Sequence, residues 1–325
     1  MKKELSLLML VLVIGGVTAA INPRFLSQVN IVNMANLIGL YGIFALGVGL
    51  VIITGGIELS VGSMFALLGV VFVDLLANYG MHWVPALGLV VASGTVLGLL
   101  HGWLVTRWGL QPFVVTLCGL LIYRGAARYY TEDQTMGFGY GGDIETLQWL
   151  MSGRSFGVPH PFIAFVLIAV VLAVALHGTA WGRHLYAVGK NEEAARYSGI
   201  RSHRIIASTY VLCGALAGLA AAFIVFYTNS VSPSAHGNFY ELYAIAAAVL
   251  GGCSLRGGEG SVLGIVLGVV LLQILQNLVN LLGIPSSLNF AVMGTVILLG
   301  VIADRQFMLR RQRLDALARV EAGSR

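Results

Sequence analysis

The sequence predicts an all-α fold, a polytopic integral membrane protein of about ten transmembrane helices with two Gly-rich broken segments. Composition is the first reason. Of 325 residues 58% are hydrophobic and 10% charged, with a mean hydropathy of +0.86, where a water-facing surface normally takes about a quarter of its residues as charges. The second is length, because the apolar runs approach the ~20 residues that span a bilayer. The third is glycine, 42 residues in all, which suits helices whose backbones must approach closely in lipid without a water-driven force. Ten spans consume about 200 residues. The whole chain, 1–325, therefore reads as one transmembrane domain, and any ATPase that powers it is a separate chain.

Taken in order, Lys2 and Lys3 precede a run at 5–21 that ends in small residues, Val17, Thr18 and Ala19. This is a first span, with a cleavable signal peptide as the rival reading. Further spans are expected at 37–54, 61–79, 84–106, 112–130, 159–177, 206–228, 241–254, 261–282 and 288–304. Gly55-Gly56-Ile57-Glu58-Leu59-Ser60 breaks the run between the second and third, and a second Gly-rich break, 251–260, opens between the eighth and ninth. Irregular backbone at membrane depth survives only where protein or a water-lined cavity satisfies it.

Cytoplasmic loops retain Lys and Arg. With the N-terminus inside, ten crossings place 15 basic residues in the cytoplasm and four outside, five of the former in a 178–205 loop and six in a basic tail, 305–325. The eighth segment, at 14 residues, is short enough to be re-entrant. If it turned back, the split would become eight inside and 11 outside, so charge favours a true crossing with both termini cytoplasmic.

The 178–205 loop carries the strongest local signals. Asn191 is a good N-cap, Glu192 and Glu193 lie at the positive end of the helix it would start, Arg196 lies near its close, and Gly199 suits the left-handed residue that stops it. A helix of about seven residues is well below the 12 to 15 at which isolated helices become marginal. It has to dock, either on a partner through Ala194, Ala195, Tyr197 and Ile200 or on this chain's own inner surface. The only Gly-Lys pair, Gly189-Lys190, is followed by Asn191 where a phosphate-binding loop needs Ser or Thr, so the chain lacks an ATPase of its own. Neither HExxH nor GxSxG occurs, and the seven histidines are scattered. No catalytic residue and no metal site are expected, and a net charge of +5 is no nucleic-acid signature.

The run Tyr186-Ala187-Val188-Gly189-Lys190-Asn191-Glu192-Glu193-Ala194-Ala195-Arg196-Tyr197-Ser198-Gly199-Ile200 resembles the cytoplasmic coupling motif in permease subunits of ribose-type ABC sugar importers. Gly55-Gly56-Ile57-Glu58-Leu59-Ser60-Val61-Gly62-Ser63, Tyr240-Glu241-Leu242-Tyr243-Ala244-Ile245-Ala246-Ala247 with Gly251-Gly252 following, and Asn277-Leu278-Val279-Asn280-Leu281-Leu282-Gly283 agree in order, as do Gln111-Pro112-Phe113 and Tyr123-Arg124-Gly125. The similarity covers roughly 22–304. The family usually has Asp at the places of Glu58 and Tyr243; the first departure keeps the charge and the second loses a carboxylate.

The resemblance implies a bacterial inner-membrane permease subunit paired with a second permease copy, itself or a paralogue. It also implies cytoplasmic ATPase subunits that use ATP and Mg, and a periplasmic binding protein that delivers a sugar of the pentose, hexose or deoxyhexose class. It makes Gly189, Asn191, Glu192, Glu193, Ala194, Ala195, Gly199 and Ile200 the ATPase-coupling residues. Ala195→Arg is then the substitution expected to release the ATPase. The alternative, an ATP-independent secondary transporter or channel for a small polar solute, would place carboxylates at mid-membrane, where Glu58 and Asp74 are almost alone.

Polar groups within the spans complete the set. Gln273, Gln276, Asn277 and Asn280 recur at i, i+3, i+4 and i+7 and share one helical face. Amides both donate to and accept from sugar hydroxyls, so this stripe lines a pathway or else bonds neighbouring helices. Glu58, next to Ser60, is expensive in lipid, by roughly 2.5 to 3.5 kcal/mol at mid-depth. It is expected to be shielded by amides of the Gly-Gly turn or by a cavity, in a structural or gating role. Glu241 reads as a helix-terminus charge, His101 as an isolated packing residue, and Cys118, Cys213 and Cys253 as small core residues. The outer loop, 131–158, is either solvated or a contact for the binding protein.

Overall fold

The computed structural model describes residues 2–138, 145–285 and scattered positions from 288 to 302. Apart from those positions, the expected tenth span at 288–304 and the tail at 305–325 lie outside the described residues, as does Asp143 of the outer loop.

The chain is helical almost throughout. α1 (Lys2–Ile21) leads through a 3-10 turn, Pro23–Leu26, into α2 (Gln28–Ile53), and α3 (Val61–Ala77), α4 (Trp83–Arg107) and α5 (Pro112–Tyr130) follow. The connection between α5 and the next long helix holds β1 (Met136–Gly137), α6 (Glu145–Ser152), β2 (Arg154–Ser155) and β3 (Val158–Pro159). Then come α7 (His160–Gly178), α8 (Ala180–Lys190), α9 (Glu192–Tyr197), α10 (Ser202–Thr228), β4 (Ser230–Val231), α11 (Tyr240–Leu250) and α12 (Val262–Leu281). β1 pairs antiparallel with β4 and β2 with β3.

Among the described residues, α1, α2, α4, α7, α10 and α12 are the six helices long and apolar enough to cross a membrane. α3 has 17 residues, and α5, though 19 long, carries Arg124 and Arg128. The fold is therefore that of a multi-pass helical membrane protein. The eighth expected span contracts to α11, 11 residues, which at about 1.5 Å each reach about 16 Å, near half of a ~30 Å hydrocarbon core. Two helices lacked an apolar run to announce them. α6 buries only Leu147 and Met151, and α8 buries Gly182, Leu185 and Val188; both are amphipathic surface helices.

α2 is the axis. From Ile38 to Ile53 every residue but Tyr41 is buried, as suits a helix that is apolar all round, and α7, α10, α11 and α12 pack on it. α1 instead touches α12 along one side, through Val11 with Leu271 and Ile274, and leaves Leu5, Met9 and Leu12 exposed. The closest pairing is α4 against α10. Gly94, Gly98 and Gly102 recur every fourth residue, and methyl groups on them would collide with Gly214, Tyr210 and Ala207 across the seam. Small residues at this spacing let dispersion contacts replace the missing hydrophobic drive.

Candidate functional site

α8 starts on the Thr179 cap and ends against both helix breaks at once. A methyl group on Gly189 would collide with the carbonyl of Ile53, the last residue of α2, and crowd Gly258 N of the second break. That same Ile53 carbonyl accepts from Gly258 N–H at 2.8 Å. The Tyr186 hydroxyl donates to the Gly260 carbonyl at 2.7 Å; burial pushes its pKa up to about 12, so it remains a donor at physiological pH. Lys190 and Glu259 add an exposed pair at 3.8 Å. Two breaks far apart in sequence thus meet each other and the 178–205 loop at one backbone-to-backbone clasp.

α9 leaves this clasp directly. Asn191 Oδ1 accepts from Ala194 N at 2.9 Å, and Glu192 accepts from the Ser202 hydroxyl at 3.0 Å. At its end Gly199 takes φ +84, its N–H bonds to the Arg196 carbonyl, and Ile200 N–H bonds to the Ala195 carbonyl, the paired closing bonds of a Schellman ending. Ala195 is 5% exposed within the main core cluster, Ile200 is half-buried, and Glu193, Ala194 and Tyr197 face out. Of the two alanines expected to seat the helix, Ala195 is seated on this chain and Ala194 faces outward. Adjacent helical residues point about 100° apart, so Ala195 seats α9 on this chain while Ala194 is free to face a partner. Ala195→Arg would first disturb the chain's own packing.

The first break is held by side chains. Glu58 Oε1 accepts from Ser60 N and Ser60 Oγ, both at 2.7 Å, and Oε2 lies 2.9 Å from His101 Nδ1. His101 Nε2 lies 2.8 Å from the Tyr123 hydroxyl. With Glu58 as a carboxylate, which only accepts, Nδ1 is the donor of that pair. Gly119 makes room for the ring, because a Cβ there would fall 2.6 Å from Nε2. The neighbouring Ile57 carbonyl accepts from the Tyr210 hydroxyl at 3.2 Å and from Thr116 at 3.4 Å. The shield around Glu58 is therefore Ser60 and His101, and the expected Gly-Gly amides take no part. His101 is buried as a packing residue would be, but it is partner to Glu58 rather than isolated.

Along α12 the amides bond neighbouring helices. Gln273 Nε2 donates to the Tyr243 hydroxyl at 3.1 Å, which donates to Gln276 Oε1 at 3.2 Å. Asn277 and Asn30 of α2 exchange bonds at 2.7 and 3.0 Å. Asn280 is exposed near the helix end. Gln276 and Asn277 stay half-buried. Sequence reasoning missed Tyr41, Tyr123, Tyr240 and Asn30 as partners. The available signal was the i, i+3 spacing of Tyr240 and Tyr243.

Residues 30–301 match the family described as Branched-chain amino acid transport system / permease component. The chain is 39% identical over 305 residues to the Ribose import permease protein RbsC of Bacillus subtilis (strain 168), covering 93% of this chain and 91% of that one. Its identity to the Ribose import permease protein RbsC of Escherichia coli (strain K12) is 37% over 303 residues, with 93% and 94% covered. To the Fructose import permease protein FruF of Bifidobacterium longum (strain NCC 2705) it is 34% over 258 residues, with 79% and 72% covered. No solved structure matches the chain. Family and relatives agree on a transport component rather than an enzyme, and with its multi-pass helical fold the chain belongs to this family of import-system permease components.

Proposed function

We propose that this chain is the membrane subunit of an ATP-driven ABC importer that passes a sugar of the pentose, hexose or deoxyhexose class from a periplasmic binding protein to the bacterial cytoplasm. ATP and Mg are used by a separate ATPase subunit docked on α9, and a second permease copy, identical or paralogous, completes the pathway. The observation that carries this reading is the clasp: α8 and α9 present Ala194 and Tyr197 outward while Gly189 is packed, backbone to backbone, on both membrane breaks. A push on α9 has a short, rigid route into the membrane.

The broad family description names amino acids, whereas relatives above 30% identity are named for ribose and fructose; the amides of α12 and the Tyr243 hydroxyl of α11 favour the sugar. The topology we favour is ten crossings with both termini in the cytoplasm, as the 15 to four charge split supports. α11 then crosses with help from irregular segments on either side. α1 is kept as a span, since it packs Val11 on α12 and its Glu4 accepts from Ser261 at 3.2 Å.

The test is to purify the tagged chain from bacterial inner membranes with its bound subunits, reconstitute the complex, and measure uptake of D-ribose and D-fructose with binding protein present. ATP-dependent uptake is expected. Uptake driven by an ion gradient without ATP would favour the secondary-transporter alternative and sink this reading.

A further inference from the structure

α11 starts deep in the fold. From Val231, packed against Val70 and Val73 of α3, the chain descends to Gly237, where the backbone approach is so close that a methyl group on Gly62, in the first turn of α3, would collide with the Gly237 carbonyl. Arg124 of α5 holds this descent by donating to the carbonyls of Pro233 and His236 at 2.8 and 2.6 Å. Two short helices, α3 and α11, therefore begin side by side in the interior. In carriers built from broken helices, such interior ends flank the cargo.

Around this point stand five uncharged polar side chains from three helices. Tyr41 lies between Tyr243, stacked with centroids 4.9 Å apart, and Tyr240, edge-on at 5.0 Å. The Tyr41 hydroxyl donates to that of Tyr240 at 3.3 Å, and Tyr243 joins Gln273 and Gln276 as described. Phe44 and Phe65 back Tyr240 at 5.9 and 5.8 Å. Tyr41, Tyr240 and Gln276 are half-buried, and Tyr41 is the sole incompletely buried residue in the long buried stretch of α2. The hydroxyl-donated bonds, at 3.2 and 3.3 Å, lie at the long end for O–H···O contacts, which centre near ~2.7 Å, so they are readily exchanged.

We propose that Tyr41, Tyr240 and Gln276, held in place by the buried Tyr243 and Gln273, form a contact site for a neutral monosaccharide on the translocation path. The half-buried parts of the Tyr41 and Tyr240 rings meet the apolar side of the sugar, and Gln276 gives up its bond from the Tyr243 hydroxyl for bonds to sugar hydroxyls. A charged solute would find no ionic partner among these five groups. The inference rests on the reading of the chain as a sugar permease, and it gives a task to Tyr243, the position where the resembling family usually carries Asp.

The test uses the complete importer in proteoliposomes, with labelled D-ribose, D-fructose and L-leucine as probes and sugar delivered per ATP hydrolysed as the readout. Tyr243→Phe keeps the ring and Gln276→Leu keeps the bulk; each is expected to lower delivery per ATP by about two- to tenfold, the range of one lost hydrogen bond. Tyr129→Phe, at an 89% exposed outer position, is the control and should leave the ratio unchanged. Unchanged ratios in both site variants, with wild type active, overturn the site alone. Wild-type complex that delivers L-leucine instead of either sugar defeats the parent reading as well.

Discussion

The two helix breaks differ in how they are held. The first, after α2, is bolted by side chains: Glu58 to Ser60 and His101, His101 to Tyr123, and the Ile57 carbonyl to Tyr210 and Thr116, which ties it to α4, α5 and α10. The second, after α11, is held by backbone on backbone, with Gly258 on Ile53 and Gly189 and with Tyr186 reaching Gly260. A buried polar network resists displacement because each broken bond strands a group away from water. The second break is held by the Gly258 N–H bond to Ile53 and the Tyr186 hydroxyl bond, with no buried carboxylate among their groups, so fewer groups are stranded on displacement. On the proposed function, the first break is the anchor and the second the part that α8 moves.

Substitutions sharpen this contrast in graded order. Glu58→Ala should have the largest effect on stability. It strands the buried donors of Ser60 and His101, at about 1–3 kcal/mol for a group left unsatisfied; thermal unfolding of purified protein should shift downward, and Glu58→Gln, which keeps one acceptor oxygen, should recover part of it. A melting curve unmoved by Glu58→Ala would dissolve the anchor. Gly189→Ala comes next, with overpacking of about 1–3 kcal/mol, and here the loss should appear chiefly in uptake per ATP rather than in subunit retention. Equal coupling in Gly189→Ala and wild type would mean that the clasp transmits nothing. Tyr186→Phe removes one hydrogen bond, worth about 0.5–1.5 kcal/mol. Lys190→Ala breaks a pair exposed by 73% and 49% and should change stability by less than about 1 kcal/mol.

Much of this was legible in the residues. Nine expected spans each fall on a helix, because an apolar run of span length has few alternatives in lipid, although α2 starts at Gln28, nine residues before the expected 37. The α9 cap was legible too, since Asn191 and Gly199 each have one local job that their side chains, or lack of one, dictate. What the sequence concealed was tertiary pairing. Nothing in the neighbours of His101 points to Glu58, and nothing in the amide stripe of α12 names Tyr243 or Asn30 as its partners. Periodicity placed Ala194 and Ala195 on a short helix without saying which of them turns toward α10. The 11-residue α11 was likewise overextended to 14, because the apolar run continues past the point at which the Gly251-Gly252 turn stops the helix.

The most direct measurement concerns α9 as the seat of the motor. Ala194→Arg places a long charged side chain on an exposed position and leaves the buried Ala195 untouched, so the permease should reach the membrane at wild-type abundance. Affinity purification from membranes should then recover the ATPase subunit with wild type and lose it, by at least about tenfold, with Ala194→Arg. Equal ATPase recovery from both would contradict the assignment of α9 as the docking element.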